Sequence, residues 1–108
     1  MPVGRIVFTD QALPAILPVN FSVWDGSVLI RTGAGSKLAA ATGNAVVAFE
    51  VDEIDQDTGK GWGVVVVGRS GLVDHPEEVA PRTWVGDRDH LIRIAIGSIT
   101  GRRVSQPM

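Results

Sequence analysis

Arg31, Thr32, Ser36 and Lys37 crowd into one short stretch, RTGAGSKLAA, around Gly33 and Gly35. Cations, hydroxyls and a flexible backbone are what a bound anion needs. Leu38 to Ala41 favour helix, so Ser36 is placed to cap a helix whose first N–H groups point at the same spot. Lys37 in the first helical turn opposes the helix dipole, a conflict that an anion between them relieves. A phosphate group meets these demands. An ordinary capped helix with two solvated cations is consistent with the same residues. Neither standard nucleotide motif is present. Lys37 follows Ser36 rather than the glycine of a P-loop, and Leu38 stands where a dinucleotide fingerprint has its third glycine.

Other residues invite a chemical reading. Asn20 is polar inside the apolar run PVNF, where its amide suits either a ring edge or a neighbouring turn. Trp62 follows a glycine at a strand start, placed to stack on a ring or to pack across an interface. Glu50, Asp52, Glu53, Asp55 and Asp57 partly mimic a calcium loop. Counted from Glu53, however, Thr58 and Val64 occupy the positions that require Gly and Glu, so the run reads as a solvated turn. Glu50 is the exception, expected to face inward or toward Arg31. His75 and His90 lack metal-ligand spacing, and the serine of GRSG lacks the nucleophile-elbow pattern. No metal site and no catalytic side chain are named.

The elements that must position these residues are mostly strands. Val3 to Thr9 is apolar and β-branched. From Pro14 to Trp24 the chain alternates, with Ala15, Leu17, Val19, Phe21 and Val23 on one face. Asp25-Gly26 signals a hairpin turn into Ser27 to Thr32. Ser36 to Thr42 is the one helix expected, ended by Gly43. Strands follow at Ala45 to Val51, Trp62 to Val73, His90 to Ile96 and Ile99 to Val104. The run VVVV at 64–67 suggests burial on both faces. Gly68 and Gly71 suggest a bend or bulge. The expectation is a mostly β protein: a small antiparallel split barrel of about six or seven strands with one short helix.

The 108 residues are expected to form a single domain, with no second domain or repeat. A hydrophobic share of 44% against 20% charged residues provides a core. The chain has no cysteine, which excludes disulfides, a thiol nucleophile and a zinc–thiolate site. A formal net charge of −2 argues against a broad nucleic-acid surface. No membrane span or signal peptide is evident, so a cytoplasmic setting without membrane or nucleic-acid partners is expected.

The blocks PVNF, RTGAGSKLA, AFEVDEID, GWGVVVVGR and ITGRR, in this order, resemble the pyridoxamine 5'-phosphate oxidase-like family of FMN-binding split barrels. The likeness runs from Val3 to Val104. It implies FMN as cofactor, with a deazaflavin as the alternative, held at the interface of a homodimer. The phosphate is implied on Arg31, Thr32, Ser36 and Lys37, and the ring along Pro18, Val19, Asn20 and Phe21. Trp62 is implied to reach the cofactor of the partner subunit. The activity implied is that of a flavin-dependent oxidoreductase acting on a small-molecule redox substrate. The alternative is a flavin or deazaflavin carrier without turnover, or a barrel that has lost its cofactor. The chain ends GRRVSQPM, without the Arg-x-His element of true pyridoxamine phosphate oxidases, so that reaction is not expected.

Overall fold

A computed structural model describes residues 2–33, 38, 42–78 and 90–105. Six strands account for most of them: β1 (Val3–Asp10), β2 (Leu13–Trp24), β3 (Ser27–Thr32), β4 (Asn44–Ile54), β5 (Gly61–Leu72) and β6 (His90–Val104). All pairings are antiparallel, and the sheet closes in the order β1-β2-β3-β6-β5-β4. The mostly β split barrel expected from the alternation is therefore the fold.

Local chemistry sets the hairpins. Asp25 and Gly26 both have positive φ (45° and 68°), the turn that matches the twist of its flanking strands. Gln11 and Ala12 adopt the same sense of turn (φ 50° and 68°) without a glycine to ease it. Between β4 and β5, the Asp55 carboxylate accepts the N–H groups of Asp57 (2.8 Å) and Thr58 (3.1 Å), and Gly59 takes φ 70°. Asp55 and Asp57 thus sit in an exposed turn tied by the Asp55 carboxylate, whereas Glu50, Asp52 and Glu53 lie on β4.

Alternation along the strands builds the core. Ile6, Phe8, Val19, Val28, Ile30, Val47, Phe49, Val66, Ile92 and Ile94 fill the barrel. Leu38 belongs to the same cluster. Of the helix expected over Ser36 to Thr42, only its described positions can be placed: Leu38 is helical, and its carbonyl accepts both the N–H (3.0 Å) and hydroxyl (2.6 Å) of Thr42.

Two expectations need correction. His90–Ile96 and Ile99–Val104 are one strand, β6, because its register shifts opposite Val67 and Gly68 and absorbs Gly97 as a bulge instead of breaking. The valine run is not buried on both faces either. Val66 points into the core, while Val65 and Val67 point outward and are 37% and 38% exposed. Beyond the bulge, β6 pairs with β5 alone, so β4, β5 and β6 project past the barrel as a three-stranded extension. No helix among the described residues is long and apolar enough to cross a membrane.

Candidate functional site

The register of β1, β2 and β3 places Val3, Asn20 and Arg31 in one row on the outer surface of the barrel. Asn20 and Arg31 are direct cross-strand partners, and the Arg31 guanidinium donates to the Asn20 side-chain oxygen at 3.0 Å. Asn20 thus orients the cation through its side-chain oxygen rather than bonding a neighbouring turn. Around this row lies an open cleft of about 770 Å³ lined by Val3, Leu17, Pro18, Val19, Asn20, Arg31, Thr32, Gly33 and Leu38.

The sequence-predicted residues divide at this cleft. Pro18, Val19, Asn20, Arg31 and Thr32 are brought together. Ser36 and Lys37 lie outside the described residues. Phe21 does not line the cleft: its ring packs edge-on against Phe49, with centroids 4.9 Å apart, beneath the cleft floor. Alternation explains this, since Phe21 follows Asn20 and must face the core. Gly4 makes room for Phe49, whose ring lies where a β-carbon at that position would sit. Trp62 stands on the extension beside Lys60, Arg103 and Val104, 41% exposed and apart from its own chain's cleft.

The cleft has properties that suit a phosphorylated ring compound. Among the described residues, a β-carbon at Gly33 would meet nothing within 4 Å. Val3, Leu17 and Pro18 give an apolar wall, and Arg31 and Thr32 give a polar end. Leu17, Val3 and Leu38 carry no chemical signal in the sequence; only the barrel's closure reveals them as lining.

Next to the cleft runs a charged row that the sequence placed wrongly. Arg5 lies beside Pro18 on one side and Glu50 on the other. Glu50 faces outward and meets Arg5, at 2.8 and 2.6 Å to Nε and Nη2, rather than facing inward or toward Arg31. Asp52 takes the same guanidinium at 2.9 Å. Burial pushes the Glu50 carboxyl up, helped by its hydrogen bond to Asp52 and opposed by Arg5. The bonds from Glu50 and Arg5 hold Asp52 below the usual carboxylate value.

The family model described as pyridoxamine 5'-phosphate oxidase matches residues 1–103. The uncharacterized protein Rv0080 of Mycobacterium tuberculosis is 40% identical over 112 residues, covering 94% of this chain and 74% of the relative. The solved structure of the FAD binding protein from Mycobacterium smegmatis has a TM-score of 0.75 at 37% identity, covering 96% of this chain and 85% of that one. A FAD-binding protein from Mesorhizobium loti has the same fold at 22% identity, with a TM-score of 0.73 and coverage of 96% and 85%.

Proposed function

Because this chain belongs to the pyridoxamine 5'-phosphate oxidase family, we propose that it holds a flavin in the cleft of β1, β2 and β3 and works as a flavin-dependent oxidoreductase on a small molecule. The observation that carries this reading is Arg31, held by Asn20 beside Thr32 in a cleft that also offers Val3, Leu17 and Pro18 as an apolar wall. The 37% identical relative, named for FAD binding, supports the same ligand class. Arg31 and Thr32, with Ser36 and Lys37, would hold the phosphate next to the ring system. Pro18, Val19 and Asn20 would border the ring. This flavin mononucleotide unit is common to FMN, the expected cofactor, and to FAD; a deazaflavin would use the same contacts.

A bound flavin would supply hydride and electron transfer. The chain's own contribution is to orient the ring along β2, to neutralise phosphate charge with a preset guanidinium, and to keep water from one ring face with Val3, Leu17 and Pro18. No side chain is assigned a catalytic role.

The reading includes a homodimer. The cleft opens on the outer surface that also carries Ile16, Val65 and Val67, so a second copy laid there would cover both. Trp62, absent from its own chain's cleft, would enter that of the second copy.

The test is the visible spectrum of the purified protein after free ligand is removed, with the released flavin identified by chromatography. About one flavin per subunit is expected. Arg31→Ala should weaken it by about 1.5–3 kcal/mol, the range for a hydrogen bond to a charged group. Unchanged affinity would remove the phosphate from Arg31.

A further inference from the structure

Arg5 and Glu50 stand between the cleft and the exposed valines. In one row of the outer surface, Pro18 is the direct partner of Arg5, Arg5 of Glu50, and Glu50 of Val65. Side chains in such a row point to the same face. Pro18 belongs to the cleft, and Val65 is 37% exposed. A second copy that covers both ends of this row must also cover the two charged residues in its middle.

The charge it would cover is out of balance. Glu50 and Asp52 both turn to Nη2 of Arg5, at 2.6 and 2.9 Å, so one cation serves two carboxylates. One negative charge is in surplus when both are ionised. Neighbouring positions on this face do not offset it. Val3 and Val7 flank Arg5 on β1, and Ala48 flanks Glu50 on β4. Gly63 and Val65 face Asp52 and Glu50 from β5. Arg102 lies beyond Gly63 on β6, and among the described contacts both carboxylates pair with Arg5 instead.

Water does the offsetting in the single chain. The Glu50 side chain is 25% exposed and that of Asp52 40%. Glu50 Oε2 is taken by Arg5, whereas Oε1 lies 4.0 Å from where a β-carbon of Gly63 would stand. With glycine at that position, no side chain from it covers the oxygen. Partial burial already pushes the Glu50 carboxyl up. Removing the remaining water penalises the charged form further. Taking up a proton removes the surplus at lower cost than burying it. A two-fold dimer brings two such clusters into one interface, so the effect acts twice.

We propose that the Arg5–Glu50–Asp52 cluster makes assembly of the homodimer proton-linked: each subunit takes up a proton on the Glu50–Asp52 pair as the two outer faces close. This rests on the homodimer reading given above and adds to it a control by pH. The sign follows from linkage: association that takes up protons tightens as pH falls. The dependence spans the interval between the Glu50 value of the single chain, already raised, and its higher value in the dimer.

The experiment measures the dimer Kd of the full chain by sedimentation equilibrium from about pH 8 to about pH 5.5, at matched flavin content. The wild-type Kd should fall about tenfold or more across that range. Glu50→Gln carries the neutral form at every pH. It should dimerise at the upper end of the range as tightly as wild type does at the lower end, with a flat profile. Asp52→Asn removes the surplus from the other member of the pair and should flatten the profile too, which keeps the test in hand if Glu50→Gln fails to fold. A dimer whose Kd is flat in wild type, or whose pH dependence survives in both variants, overturns the proton linkage and leaves the homodimer standing. A wild-type monomer at every pH overturns both.

Discussion

At the scale of single residues, the molecule separates arginines by their partners. Among the contacts described, Arg31 meets the Asn20 amide oxygen, Arg93 meets a hydroxyl and an indole face, and Arg5 meets two carboxylates. The Arg5 group carries a pH signature. Asp52, whose folded value is depressed, contributes stability above the ordinary carboxylate range and loses it as pH falls. Glu50, whose folded value is raised, contributes in the opposite sense, favouring the fold as pH falls. Arg5→Ala removes the shared cation and leaves two neighbouring carboxylates, whose repulsion is greatest when both are ionised. The melting temperature of Arg5→Ala should therefore fall furthest below wild type at neutral pH, and the gap should narrow in acid. A gap that widens on acidification would mean that Arg5 stabilises through packing of its stem. None of this was legible in the sequence: Glu50 lies 45 residues from Arg5, and no local pattern specifies that pairing. Arg31 and Thr32 were legible because their spacing from the glycines is local.

At the scale of elements, the two-residue period showed where most strands lie and that Asn20 points away from the face of Val19 and Phe21. It failed where a glycine acts through a neighbour. Gly97 is absorbed as a bulge, so the last two expected strands are continuous, and Gly68 lies against the carbonyl of Ala95 opposite that bulge. A β-carbon at Gly68 would strike that backbone oxygen, which has nowhere to go. Gly68→Ala should destabilise the protein by about 1–3 kcal/mol or more, as overpacking does. Gly63→Ala, on the same strand, meets only Asp52 and Glu50 atoms at 3.7 and 4.0 Å and should be neutral or slightly stabilising. Urea unfolding of the two variants measures the contrast; equal effects would show that β5 tolerates a shift of its bulge. The valine run misled for a related reason. An unbroken apolar run carries no alternation to separate its faces, and Val65 and Val67 are exposed on the outer face of this chain.

At the scale of the whole molecule, the outer surface reads as a continuous strip. One row runs Pro18, Arg5, Glu50, Val65, Thr100, and the next runs Ile16, Val7, Ala48, Val67, Ser98. On the homodimer reading, sedimentation equilibrium should give twice the chain mass of 11.4 kDa. Val67→Lys should shift the protein to monomer and weaken flavin retention together, since a buried lysine at an interface lacks a partner. A monomeric wild type that retains flavin tightly would remove the shared site.

The order of closure has a consequence for how the chain reaches this state. β6 is wedged between β3 and β5, so neither of those strands gains its second partner until residues 90–104 arrive. The pairing Ser27 with Ala95 spans most of the chain. Ring closure across such separations is slow relative to helical proteins. While it is pending, β3 and β5 present unpaired edges rich in valine, leucine and isoleucine, templates for pairing with another chain. Synthesis proceeds from β1 to β6, so this vulnerable interval lasts until the final strand emerges. Refolding yield should consequently fall steeply with protein concentration, even where the finished barrel is stable.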